Sequence, residues 1–307
     1  MAKVLVATEK PFAKVAVDGI RKIVEGAGLE LALLEKYTNE TELLAAVADA
    51  DALIVRSDKV TPAVIDAAKQ LKIVVRAGAG YDNIDLNACT KRGIVAMNTP
   101  GQNSNAVAEL AFGLMLYMIR NHWNGTSGSE LRGKKLGIQA YGHIGRLMAE
   151  IGKGFGMDVY SYTRSDANKK QMAADGVKLV GSVEELYSTC NFVSTHVPAK
   201  DDTKKSLNYN LLSKMPKGGI LVNTARKEII DEDGLLRLMA EREDIRYISD
   251  IEPDKKDEFL KFGDRVLFTA KKMGAQTAEA NINAGLAAAE QIVRFLKNGD
   301  RTFQVNK

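Results

Sequence analysis

The chain has 307 residues, 45% of them hydrophobic and 27% charged, with a formal net charge of +4. That length predicts two domains with sizeable cores, and the composition is ordinary for a globular protein and unlike a disordered or fibrous one. The small positive surplus is spread without a basic block or a basic-aromatic surface, which argues against nucleic acid and leaves a modest pull on small anions.

From Met1 the chain runs into KVLVAT, which reads as a buried strand and lacks the long apolar core of a secretory signal. Short β-rich runs then alternate with helical segments: residues 12–27, LELALLEKY, residues 40–48, ALIVRS, residues 61–70 and KIVVRAGAG. Near-continuous apolar strands between amphipathic helices predict a parallel sheet covered on both faces. The Pro-Gly of NTPGQNSNAVAEL punctuates the chain, with Ser104 or Asn105 as cap of an apolar helix to Ile119. That helix is too short to span a bilayer, and it has too many large side chains for one face, which predicts burial against a second copy in a homodimer.

The strand–helix pattern resumes after Leu131 with KLGIQAY, a helix from Ile144, DVYSYT, FVSTHVP, GILVNTA, RYISDI and RVLFTA, then a final helix over residues 283–298. The fold class predicted is α/β, two doubly wound parallel-sheet domains. Residues 1–98 with 284–307 would form one, made discontinuous by the final helix, and residues 99–283 a Rossmann-type dinucleotide domain. No further domain, and no regulatory segment, is expected beyond Lys307. Cys89 and Cys190 are far apart without CxxC or metal-ligand spacing, so neither a disulfide framework nor a metal site is expected, and a reducing cytoplasm fits.

The run QAYGHIGRLMAEIG sets a glycine-bearing turn between a strand and a helix. Gly142 lets backbone approach a pyrophosphate and Gly145 lets the helix pack closely on the sheet, although the first glycine of the usual pattern is Ala140. The next strand should end in an acid for the ribose hydroxyls, yet it ends in Thr163 and Arg164. A missing carboxylate and a nearby guanidinium lean the cofactor, NAD or NADP, towards NADP. Arg164 could instead stack on the adenine, and Asp166 could reach the ribose.

The segments ALIVRSDKVTPAVIDAAKQLKIVVRAGAGYDNID, NTPGQNSNAVAEL, GHIG, HVP, GILVNTAR, DIEP and MGAQTAEAN occur in an order, spanning nearly all the chain, that resembles the D-isomer-specific 2-hydroxyacid dehydrogenases. The resemblance implies a split catalytic domain, a Rossmann-like cofactor domain and a cleft between them. It assigns the catalytic arginine to Arg226, its acidic partner to Glu252 in a DIEP segment shorter than usual, and a carboxamide-binding aspartate to Asp250. The family's catalytic histidine precedes a Gly-Ala pair by two residues, which here is Lys272, with Lys271 a bystander. Some short members without a regulatory domain carry lysine in this slot. Arg56, Ser57, Lys59 and Arg76 would bind substrate phosphate or carboxylate, with Gly78 and Asn83 shaping the loop. His143, Ile144, His196, Val197, Pro198, Thr224, Ala225 and Gly274 would complete the cofactor site.

The implied activity is hydride transfer interconverting 3-phosphoglycerate and 3-phosphohydroxypyruvate in serine synthesis. Two rival readings are an NADPH-dependent reductase of hydroxypyruvate or glyoxylate and a dinucleotide-sensing scaffold without turnover.

Overall fold

In a computed structural model that describes residues 1–306, leaving Lys307 outside, the chain separates into two compact units. One comprises Met1–Asn103 with the stretch from Gln276 onward, the other Ser104–Ala275. The sequence put these breaks at 98/99 and 283/284. Thr99 N donates to Gly78 O, which ties the first loop residues to the first unit. Thr277 Oγ1 accepts from Ala280 N at 3.1 Å, so the helix expected from Asn283 already begins at Ala278.

The first unit comprises β1 (Lys3–Thr8), α1 (Lys14–Gly26), β2 (Glu30–Glu35), α2 (Glu40–Val47), β3 (Ala52–Val55), α3 (Pro62–Ala67), β4 (Ile73–Arg76), α4 (Leu86–Lys91) and β5 (Val95–Asn98). Its strands pair in parallel in the order β2-β1-β3-β4-β5. Alternation along each strand sends Leu5, Leu53 and Val74 into one core and Val4, Ile54 and Val75 into another, so both faces are covered. The helix Ala278–Asn298 packs on α1 and adds Ala284, Ala288 and Ile292 to the second of these cores.

The second unit opens with α5 (Ser104–Ile119) and continues through β6 (Lys135–Gln139), α6 (His143–Gly154), β7 (Asp158–Tyr162), α7 (Asp166–Ala174), β8 (Lys178–Leu179), α8 (Val183–Thr189) and β9 (Phe192–Thr195). It ends with α9 (Tyr209–Leu212), β10 (Ile220–Asn223), α10 (Glu232–Glu241), β11 (Arg246–Ser249), α11 (Lys256–Leu260) and β12 (Val266–Phe268). The strands, again parallel, lie in the order β12-β11-β10-β9-β6-β7-β8. The doubly wound α/β class is thus found in both units. Strand order reverses between β1 and β3 in the first sheet and between β6 and β9 in the second. Outside the carboxyl ends of strands at such reversals is where open α/β sheets take ligands. Among the described residues no helix is long and apolar enough to cross a membrane.

Candidate active site

At the reversal in the first unit, the loops after β1 and β3 are bound together by Asp58 and Arg56. Asp58 is buried, and its carboxylate accepts from Glu9 N (2.7 Å), Tyr37 Oη (3.0 Å) and Arg56 N (3.1 Å). Arg56 Nη1 donates to Lys10 O (2.8 Å) and Pro11 O (3.2 Å), Nη2 to Asn281 Oδ1 (2.5 Å), and the guanidinium lies over the Phe12 ring. Much of its donor capacity therefore serves the loop. Arg76 Nε and Asn83 Nδ2 both donate to Arg56 O, at 3.1 and 3.3 Å. A Cβ on Gly78, whose φ is +149°, would fall 1.3 Å from Arg76 Nη1, so only glycine leaves that guanidinium its place. Ser57 and Lys59 are exposed on the same loop.

At the reversal in the second unit, Ala140 takes φ +78° directly after β6, a conformation in which a Cβ is strained. Gly142 caps α6 and His143 and Ile144 begin it. A Cβ on Gly145 would lie 2.4 Å from Ala140 O, which is why this first turn of α6 can sit against the strand end. His196 N donates to Gln139 O, tying β9 to β6. Its Nε2 is 3.0 Å from Ser194 Oγ and its Nδ1 is buried, and burial pushes the ring down to about 4. Ala140, Thr163, Arg164, Val197 and Pro198 line a cavity of about 630 Å³.

After β10, Asn223 folds the loop onto itself by accepting from Ala225 N (3.0 Å) and donating to Arg226 O (2.9 Å). Arg226 Nη1 and Lys272 Nζ then donate to one acceptor, Ala225 O, each at 2.9 Å. Two cations far apart in sequence are thereby brought to one point. Asp250 is fully buried after β11, where Oδ2 accepts from Gly274 N at 2.7 Å. A Cβ on Gly274 would stand 2.7 Å from that oxygen. Burial raises the Asp250 carboxyl above the usual range, opposed by the Gly274 and Met273 N–H groups and by the charges of Lys272 and Arg226. Its Oδ1, like the hydroxyl of the buried Thr224, has no hydrogen-bond partner among the described residues. Glu252 Oε1 accepts from Lys256 Nζ at 2.6 Å, an i,i+4 pair. Lys271 contributes its carbonyl to Thr269 Oγ1.

Residues 111–271 match the family model described as D-isomer specific 2-hydroxyacid dehydrogenase, NAD binding domain. Among curated relatives, the D-3-phosphoglycerate dehydrogenase of Methanocaldococcus jannaschii is 38% identical over 90% of this chain and 55% of its own length. The hydroxypyruvate reductase of Thermotoga maritima is 34% identical over 87% of this chain and 92% of its own.

The chain belongs to the D-isomer specific 2-hydroxyacid dehydrogenases.

Among solved structures, the NAD+-bound 3-phosphoglycerate dehydrogenase of Entamoeba histolytica superposes with a TM-score of 0.87 at 47% identity, covering 100% of this chain and 99% of that one. The chain spans just over half the length of the phosphoglycerate dehydrogenases among its curated relatives, 55% and 56% of those from M. jannaschii and Homo sapiens. For this family member the cofactor is a nicotinamide dinucleotide, and the second unit has the features to hold it. The glycine turn brings a helix N-terminus to the strand end, and the orphaned Asp250 Oδ1 needs a donor of the kind a carboxamide supplies. Asp58, Asn223 and Asn281 lie within segments that carry the family resemblance, yet nothing in the sequence gives any of them a role. Asp202 was also missed, because it meets Arg164 across 38 residues of chain.

Proposed function

We propose that the chain interconverts 3-phosphoglycerate and 3-phosphohydroxypyruvate by hydride exchange with a nicotinamide cofactor. The observation that carries this reading is the convergence of Arg226 and Lys272 on the Ala225 carbonyl, with Asp250 buried within reach of both charges. Arg226 would exchange that carbonyl for the substrate carboxylate and carbonyl oxygen, which its planar fork can grip in two places. Lys272 Nζ would give a proton to the substrate oxygen in reduction and take it back in oxidation. Asp250 Oδ1 would accept from the carboxamide and fix the ring's orientation. Glu252 would oppose the local positive charge, with Lys256 holding its carboxylate in place. The bound nicotinamide supplies or accepts the hydride.

Ser57, Lys59 and Arg76 would meet the substrate's anionic groups, and Arg56 would position the loop that carries them. For the cofactor we favour NAD over NADP, since Arg164 is already paired with Asp202 at 2.8 Å and the E. histolytica protein is NAD+-bound. The reading includes a homodimer. Leu110, Leu114 and Tyr117 form a partly exposed stripe on α5, and Trp123, 69% exposed, packs edge-on against Tyr117. It also includes a cytoplasmic setting, in keeping with two buried, unbridged cysteines.

A second reading, reduction of hydroxypyruvate, is favoured by the T. maritima relative, which this chain covers almost end to end. Rates of NADH oxidation with the two keto acids separate them. About 3 kcal/mol of charge-assisted contact to a phosphate predicts kcat/KM about a hundredfold higher for 3-phosphohydroxypyruvate. Equal or better turnover of hydroxypyruvate would select the second reading, and no turnover of either would sink both.

A further inference from the structure

Arg164 stands just past β7, where a dinucleotide fold usually places the carboxylate that takes the ribose hydroxyls. Here a carboxylate from another loop meets that guanidinium. Asp202, on the loop after β9, accepts from Arg164 Nη1 at 2.8 Å, and both side chains line the cavity that Ala140 and Thr163 also line. The loop is stapled from within: Thr203 Oγ1 bonds Pro198 O (2.5 Å) and accepts from Lys200 N (2.7 Å), so Asp202 is held at the cavity wall.

With side-chain exposures of 71% and 50%, the pair adds little to stability. Its consequence is the charge it leaves in the cavity. We propose that Asp202 is the residue that selects NAD over NADP, by occupying Arg164 and by presenting a carboxylate where a 2′-phosphate would lie. The hydroxyls of an unphosphorylated ribose can donate to that carboxylate. A phosphate dianion is repelled by it, and gains Arg164 only by breaking the ion pair. The hydrogen bond from Arg164 holds the Asp202 carboxyl below its usual range, and any exposed aspartate is charged at neutral pH. The other charged groups on the cavity are Lys200, Lys214 and Glu184. Neutralising Asp202 would therefore leave three cations facing one carboxylate, a balance that welcomes the phosphate.

This inference rests on the cofactor site proposed above. The test is Asp202→Asn, read as the ratio of kcat/KM for NADPH to that for NADH, with Kd for each from nucleotide fluorescence. Removing one charge from beside a dianion predicts a rise of about tenfold in the ratio at low ionic strength, shrinking at high salt. Adding Arg164→Ala to Asp202→Asn should remove part of the gain. A ratio that stays put, or equal changes for both cofactors, would overturn the assignment while leaving the dehydrogenase reading intact. Failure of the wild-type protein to bind either nucleotide would overturn both.

Discussion

Acidification should destabilise the second unit through His196. Its ring sits at the end of β9 with Nδ1 buried and without a partner among the described residues, and burial lowers it to about 4. In the unfolded chain a histidine titrates near ~6.5. Between these values the unfolded state binds a proton that the folded state refuses, so stability falls as pH drops through the unfolded value. Integrating from pH 7 to pH 5 gives about 2 kcal/mol, and for a unit of this size that corresponds to about 4 to 8 °C in Tm. Scanning fluorimetry of the wild type and of His196→Asn at both pH values measures it. The wild type should lose that much more than the variant, over whatever the carboxylates cost both. Equal losses would mean that the ring is protonated in the folded protein and that its burial has been misjudged.

Gly145→Ala would set a Cβ 2.4 Å from Ala140 O. The helix must then lift off the strand end, so we expect a loss of about 1 to 3 kcal/mol in stability and a Kd for NADH raised more than tenfold, by fluorescence titration. Arg56→Ala removes donors to Lys10 O, Pro11 O and Asn281. Because those bonds tie the loop after β3 to the loop after β1 and to the helix Ala278–Asn298, it should cost about 2 kcal/mol and raise KM for phosphorylated and unphosphorylated keto acids alike. A rise confined to the phosphorylated substrate would instead make Arg56 a phosphate ligand.

The parallel sheets were legible because their strands are uninterrupted apolar runs, such as KVLVAT and GILVNTA, bounded by turn residues. The short helix α4 and the strand β5 were not singled out. Six residues are too few to establish a helical period, VAMN has a single β-branched residue where a strand of equal length such as IVVR has three, and the Asp85 cap that starts α4 is an ordinary loop aspartate until Ala88 N is seen donating to it. At the site, Lys272 is reached through the family resemblance, which sets the catalytic histidine two residues before a Gly-Ala pair. Its meeting with Arg226 at one carbonyl depends on how Asn223 folds the loop, which no spacing encodes. The family resemblance makes Arg56 a substrate ligand, whereas much of its guanidinium is taken up by backbone carbonyls. The backbone carbonyls it serves come from the loop after β1, and only topology brings them there. Arg164 was read without Asp202 for the same reason.

The most direct measurement is turnover in both directions by Lys272→Met beside Lys271→Met, with NADH binding measured on each. Removal of a general acid–base group predicts a fall of about 10² to 10⁴-fold in kcat for Lys272→Met, with nucleotide affinity retained. Hydroxy-acid oxidation draws on the neutral amine of Lys272, so the wild-type rate should rise with pH. Lys271→Met, whose side chain has no place in this account, should behave as wild type. A Lys272→Met enzyme with wild-type rates and an unchanged pH profile would contradict the account, since the proton would then have to come from another group.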